Sequence, residues 1–283
     1  MNRWLSLGWV VVSAAACSAP EPQAAEPAFT TEVITRYPAA DRVVALGDIH
    51  GDLAAMREAL QIAGVIDETD AWIGGETVVV QTGDVLDRGD DEQAILDLLA
   101  ALQADAEAAG GALHLLHGNH EVMNVALDFG YVTDGGFADF EDAEGVDPDD
   151  PAVADLPEHE RARASAFMPG GPYALKMAHH PVVVIVGDTA FTHGGVLPGY
   201  AEEVEAVNEE VAAWLRGEDD SGYRIYDDED SPVWSRHYSD EPDADDCALL
   251  EEALEILGVD YLVVGHTVQD TITSACDDRV WLV

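Results

Sequence analysis

The sequence predicts a layered α/β domain, and three observations carry the prediction. Short β-branched runs alternate with amphipathic helical stretches from Asp41 onward. The first three of those runs each end in a glycine-containing polar motif, the place where open α/β sheets bind ligands. The 283 residues are 48% hydrophobic, enough for a sizeable core.

At the N-terminus, Arg3 precedes an apolar stretch from Trp4 to Val12 and the small residues Ser13 to Ala16, the layout of a secretory signal over residues 1–16. That stretch is too short to span a membrane as a helix. Cys17 directly follows the small residues in the manner of a lipobox, which makes it a candidate lipid anchor; plain cleavage followed by secretion is the alternative. Either route predicts an exported protein of the periplasm or cell envelope. Residues 17–40 are rich in Ala, Pro and Glu without apolar periodicity and predict a flexible tether. The catalytic domain is then expected over residues 41–283.

Val43 to Leu46 predicts a buried strand ending at Gly47-Asp48, and Leu53 to Ala63 a helix stopped at Gly64. Thr77 to Gln81 predicts a second strand ending at Gly83-Asp84, followed by a helix from Gln93 to Ala109 closed by Gly110-Gly111. A third strand, Leu113 to Leu116, leads into Gly118-Asn119-His120. Residues 131–172 break the rhythm with Gly, Pro and many acids, as expected of a partly helical insertion over the rim of a site. Strands at Val182 to Val186 and Ala190 to Thr192 follow, the second running straight into His193. Helices are expected over residues 201–216 and 246–257. A strand from Tyr261 to Val264 then runs into Gly265-His266, and a last strand covers Val280 to Val283.

Twelve basic residues against 57 acidic ones give a formal charge of −45, and Lys176 is the only lysine. Such a surface repels polyanions and excludes nucleic acid as a partner, because that binding relies on basic side chains displacing counterions. Otherwise the acidic shell speaks to habitat rather than chemistry. Of three cysteines, Cys247 and Cys276 remain for a disulfide if Cys17 takes lipid; two separate buried thiols are the other reading.

Five motifs carry the chemistry: Gly47 to Gly51 (GDIHG), Gly83 to Gly89 (GDVLDRG), Gly118 to Glu121 (GNHE), His193 to Gly195 (HGG) and Gly265 to Thr267 (GHT). Alone, an Asp-x-His is more often a turn and a GHT nearly uninformative; all five in order at strand ends are a different matter. Asp48 and His50 can turn toward one point, a carboxylate beside an imidazole that suits Mn, Fe or Zn. Asp84 can bridge to a second ion completed by Asn119, His193 and His266. Two such divalent or trivalent ions about 3.5 to 4 Å apart clamp a phosphoryl group and turn a water between them into a nucleophile. His120, oriented by Asp87, suits a general acid for the leaving oxygen. Arg88 and Arg236, with Asn119, are candidate phosphate-binding residues. His114 and His117 fit packing better than catalysis, whereas His159, His179, His180 and His237 are expected to face solvent or a partner side chain. Trp234 reads as packing, with a substrate wall as the alternative.

At these residues the chain resembles the calcineurin-like metallophosphoesterases, on the phosphoprotein phosphatase branch. GNHEVMN (Gly118 to Asn124), Trp72 to Gly75, Pro169 to Pro172 and the segment from Pro232 to Arg236 resemble the bacterial Shewanella-like protein phosphatases. The resemblance implies an α+β fold with a β-sandwich core flanked by helices. It also implies Asp48, His50 and Asp84 on one metal, Asp84, Asn119, His193 and His266 on the other, and His120 with Asp87 as the acid pair. Val268 stands where many phosphodiesterases of the superfamily have a further histidine ligand, which favours the phosphatase branch. Similar chains usually continue past the final strand, so Val283 comes early.

The leading expectation is a phosphomonoesterase acting on phosphoprotein, tilted by the resemblance toward phosphotyrosine over phosphoserine and phosphothreonine. Hydrolysis of nucleotides or dinucleoside polyphosphates is a second reading, which export disfavours. A non-catalytic exported metal-binding protein is a third, disfavoured by the retention of Asp87, Arg88 and His120 together.

Overall fold

The computed structural model describes residues 33–283. The expected signal over residues 1–16, Cys17 and the tether up to residue 32 lie outside the described residues. The tether boundary at residue 40 needs correction. A short strand β1 (Arg36–Tyr37) lies parallel to β5 (Val183–Val186), pairing Arg36 with Ile185 and Tyr37 with Val186. Thr35 is buried beside it and accepts the Asn208 side-chain N–H at 2.9 Å. Two residues are too few to show periodicity, and their partner lies far along the chain, so only tertiary structure reveals this strand.

Two sheets form the centre. β2 (Val43–Leu46), β3 (Val78–Gln81) and β4 (Ala112–Leu115) make a three-stranded parallel sheet in that order. Its crossovers are α1 (Leu53–Ile62), capped by the Asp52 carboxylate on the Ala55 N–H, and α2 (Glu92–Ala108). β5, β6 (Thr189–Thr192), β7 (Tyr261–Val264), β8 (Thr273–Ala275) and β9 (Val280–Leu282) join β1 in a mixed six-stranded sheet of order β1-β5-β6-β7-β9-β8.

Side-chain alternation along the strands decides how the layers stack. Val80, Val184, Val186, Phe191 and Val263 turn inward and form one buried cluster between the sheets, with Tyr37 and Ala45 at its margin. The intervening residues face outward. Val79 and Leu113 meet Met56, Leu60, Ile95 and Leu99 of α1 and α2, while Val183, Ile185, Leu262 and Val264 meet the helices on the other side. The result is a β-sandwich flanked by helices, as expected. Each large apolar side chain fully buried in these layers contributes about 1.5–3 kcal/mol.

The remaining helices are α3 (Asn119–Val125), α4 (Asp134–Ala138), α5 (Arg161–Phe167), α6 (Pro172–Met177), α7 (Pro198–Ala201), α8 (Val204–Leu215), α9 (Arg224–Asp227) and α10 (Ala244–Leu257). The single helix expected over residues 201–216 is thus two, α7 starting at Pro198 and α8 at Val204. Cys247 of α10 and Cys276 form a disulfide, their Cα atoms 5.3 Å apart. Lys176 stands over the Tyr173 ring at 4.2 Å. Among the described residues no helix is long and apolar enough to cross a membrane.

Candidate metal centre

Among the described residues, five of the eleven non-glycine residues with positive φ belong to the motifs: His50, Asp84, Asp87, Arg88 and His266. Side chains rarely tolerate this region outside functional turns, so the chain is bent there to aim polar groups. Close backbone approach makes the bends possible. Gly83, at φ 100°, packs so tightly on Gly118 that a Cβ would stand 2.4 Å from the Gly118 nitrogen.

The bends bring two groups of donors together around Asp84, which is almost fully buried. Asp84 Oδ2 lies 3.2 Å from His193 Nε2, 3.6 Å from His50 Nε2 and 3.8 Å from His120 Nε2. One group comprises His50, Asp84 and His120, the other Asp84, His193 and His266. Asp48 joins both margins, with Oδ2 3.8 Å from His50 Nε2 and Oδ1 accepting the His266 N–H at 3.2 Å. Asn119 Oδ1 lies 3.0 Å from His193 Nε2, and His266 Nδ1 lies 3.1 Å from the same nitrogen.

The far nitrogens of these rings settle what the near ones present. His50 Nδ1 donates to the Leu86 carbonyl (3.0 Å), His193 Nδ1 to the Thr82 carbonyl (2.9 Å) and His266 Nε2 to the Trp234 carbonyl (3.1 Å). Carbonyls only accept, so in the neutral rings the inward nitrogens carry the lone pairs. Beside them stand a carboxylate oxygen and an amide oxygen. Acceptors converging in this way repel one another unless a cation or a proton stands among them, and the donor set therefore fits metal ions.

Electrostatics agree. Burial by itself lowers His193, but the Asp84 carboxylate outweighs it and sets His193 at about 9. At neutral pH a proton thus takes the place of positive charge. Burial would raise Asp84, yet His193 and His120 hold it below the usual carboxylate range. Burial and the neighbouring His193 and Arg236 push His266 down to about 3.

His120 differs from the other rings in its far partner. Its Nδ1 lies 2.6 Å from Asp87 Oδ2, a carboxylate rather than a carbonyl, and that contact raises the imidazole against the lowering effect of burial. Its Nε2 faces Arg88 Nη2 at 3.1 Å, while Arg88 Nη1 donates to His50 Nε2 at 2.8 Å. Tyr131 stands beside this pair, 5.0 Å from the His120 ring and 5.4 Å from the Arg88 guanidinium, with half its surface exposed. Arg236 reaches the other group from outside, donating to the His266 carbonyl (3.2 Å) and Thr267 Oγ1 (2.8 Å).

All the residues expected from the motifs therefore gather in one place, with His120 closer to Asp84 than an acid held apart from the metals required. Four residues escaped the sequence reading. Glu121 lies inside a motif and accepts four backbone N–H groups; Asn124, Glu92 and Arg163 surround Asp87. Glu121 was visible as the last letter of GNHE. Arg163 sits in an irregular acidic stretch with no motif to flag it. His114 and His117 pack as expected, and of the two settings expected for His180, solvent or a partner side chain, the structure shows the second, against His179 and His117. Trp234 is half-buried, its indole N–H on the Tyr226 carbonyl.

A β-sandwich with paired His/Asp groups at its strand ends defines a metal-dependent phosphoesterase. Residues 41–270 match the family described as calcineurin-like phosphoesterase, and the chain belongs to that family. It is 40% identical to Shewanella-like protein phosphatase 2 of Arabidopsis thaliana over 287 residues, covering 90% of this chain and 73% of that one. Among solved structures, a cold-active protein tyrosine phosphatase superposes with a TM-score of 0.72 at 26% identity, covering 89% of this chain and 72% of its own. The cold-active protein-tyrosine phosphatase of a psychrophilic Shewanella species gives 0.70 at 24% identity, covering 89% and 74%.

Proposed function

We propose that this chain is an exported protein phosphatase that prefers phosphotyrosine. The observation carrying the catalytic part is the Asp84 carboxylate shared by two groups of lone-pair donors, with the Asp87–His120 pair beside it. In this reading Asp48, His50 and Asp84 hold one ion, and Asp84, Asn119, His193 and His266 the other. Bound there, two ions would supply positive charge to the phosphoryl oxygens and lower the pKa of water. Manganese, iron and zinc all suit the donors.

The protein's own groups do the rest. His50 Nε2 cannot give its lone pair to Arg88 and to a cation at once, so with an ion held there Arg88 would leave His50 and its planar fork would be free for phosphate oxygens. Arg236 and the Asn119 amide complete the phosphate contacts. His120 delivers a proton from Nε2 to the leaving oxygen, and Asp87 on Nδ1 stabilises the cationic ring before transfer.

Tyrosine preference is supported by the likeness to a solved protein tyrosine phosphatase and by the exposed Tyr131 ring next to His120, where an aryl leaving group would stack. Export is supported by the N-terminal pattern and by the Cys247–Cys276 disulfide, which suits an oxidising compartment. Lipidation of Cys17 would place the domain at a membrane surface.

The test is turnover by the full chain loaded with manganese, on phosphotyrosyl, phosphoseryl and phosphothreonyl peptides alongside a dinucleoside tetraphosphate. Fastest turnover of the phosphotyrosyl peptide is expected. Preference for the dinucleotide would move the function to nucleotide hydrolysis, and no turnover with two ions bound would leave a binding protein.

A further inference from the structure

Arg163 of α5 has no exposed surface, and an arginine is almost never fully buried without dedicated partners. Its partners are the catalytic pair's own support. Nη2 donates to Asp87 Oδ1 (2.9 Å) and Glu92 Oε1 (2.9 Å), Nη1 to Glu92 Oε2 and to the Gly136 carbonyl (2.9 Å), and Nε to Asn124 Oδ1 (2.7 Å). Phe140 and Phe167 each pack a ring 5.2 Å from the guanidinium. Every donor edge is used and no water is needed.

The geometry sorts the two oxygens of Asp87. Oδ1 receives Arg163 Nη2 and Asn124 Nδ2, both at 2.9 Å, while Oδ2 is left for His120 Nδ1. Arg163 also decides which way the Asn124 amide faces, because its Nε–H occupies Asn124 Oδ1 and so turns the NH2 group toward Asp87 and the His120 carbonyl. Glu92 closes the ring by accepting the Asp87 backbone N–H. Asp87 has left-handed backbone, and this cage is what holds that bend.

We infer that Arg163 is a positioning residue for proton delivery: it acts on the reaction through Asp87 and His120, and it ties the rim segment 131–172 to the catalytic pair. The inference rests on the proposed acid role of His120. It assigns to the insertion a task at the reacting centre that its irregular sequence does not advertise. A lysine at 163 would keep the charge but lose the fork that holds Asp87, Glu92 and Asn124 together.

A double-mutant cycle in the full manganese-loaded chain tests this, with Arg163→Lys, His120→Asn and the pair assayed on an alkyl phosphate and on an activated aryl phosphate. Arg163→Lys alone is expected to lower kcat on the alkyl ester by about 10-fold or more, with KM and metal content held and a much smaller loss on the aryl ester. In the His120→Asn background the same change is expected to cost less than about 2-fold, since the step it serves is already gone. Equal losses in both backgrounds, or on both esters, overturn the inference and leave Arg163 a structural residue. If Arg163→Lys does not fold, Glu92→Gln loosens the same guanidinium and the Asp87 backbone N–H while leaving the partners of the Asp87 carboxylate in place, and is read by the same cycle. A wild-type chain without phosphatase turnover removes the reading beneath the inference, an outcome distinct from an active enzyme whose cycle is additive.

Discussion

Glu121 accepts the backbone N–H of Asp84 at 2.7 Å, so the first turn of α3 holds the metal-facing turn that follows β3. The same carboxylate takes the N–H groups of Val85 (2.8 Å), Leu86 (3.1 Å) and Gly118 (2.7 Å). Burial and the charge of Asp84 push Glu121 up to about 7, against those four donors, which favour the ionised form. Glu121→Gln replaces one accepting oxygen with an NH2 that faces further donors. The expected cost is about 1–3 kcal/mol, together with weaker metal retention. Thermal unfolding and metal content after dialysis check this; a variant unchanged in both would show that Glu121 is not the clamp on Asp84.

His120→Asn should keep its metal and lose about 100-fold or more in kcat on alkyl phosphates, and less on aryl esters whose leaving group needs little protonation. Steady-state kinetics across a series of leaving groups measure it. An equal loss along the series would remove the acid role, and a loss of one ion would make His120 a ligand, as its 3.8 Å distance from Asp84 Oδ2 allows.

Asp84→Asn takes the negative charge from the one oxygen shared by both donor groups. Metal analysis is expected to find fewer than two ions per chain, with turnover lost in parallel. Two ions still bound would refute the bridging assignment.

A pH effect follows from a residue remote from catalysis. Burial holds His114 down at about 4, below its ordinary 6.5, with its Nε2 unpartnered and its ring 4.1 Å from that of Tyr37. The unfolded chain takes up this proton first as pH falls. The contribution of His114 is therefore complete above pH 6.5 and lost between 6.5 and about 4, with each pH unit crossed costing at most about 1.4 kcal/mol. His114→Leu should flatten the decline in unfolding temperature between pH 7 and pH 5. An unchanged slope would place the acid sensitivity elsewhere.

The strands and the metal-facing residues were legible because both are local signals. Val43 to Leu46 and Val78 to Gln81 declare themselves by β-branched runs, and Asp48, Asp84 and Asn119 follow directly where the runs end. What stayed hidden depends on contacts across long separations. β1 exists only through its pairing with β5, and Arg163 gains meaning only when α5 folds back onto Asp87, 76 positions earlier. His180 likewise meets the ring of His117, which lies far from it in sequence. The disulfide belongs to this second kind, since spacing alone left Cys247 and Cys276 open and the structure closes them.

Lys176 gives the molecule an unplanned handle. Apart from the α-amino group, its exposed ammonium is the single amine that an acylating dye can reach, so a reporter goes to one known side chain without mutagenesis. The dye would sit over Tyr173, whose ring packs 4.9 Å from Phe140 and 5.6 Å from Phe167, the two rings that enclose Arg163. Its fluorescence would report loosening of that aromatic cluster, and with it the state of the rim, in a protein otherwise almost without reactive surface amines.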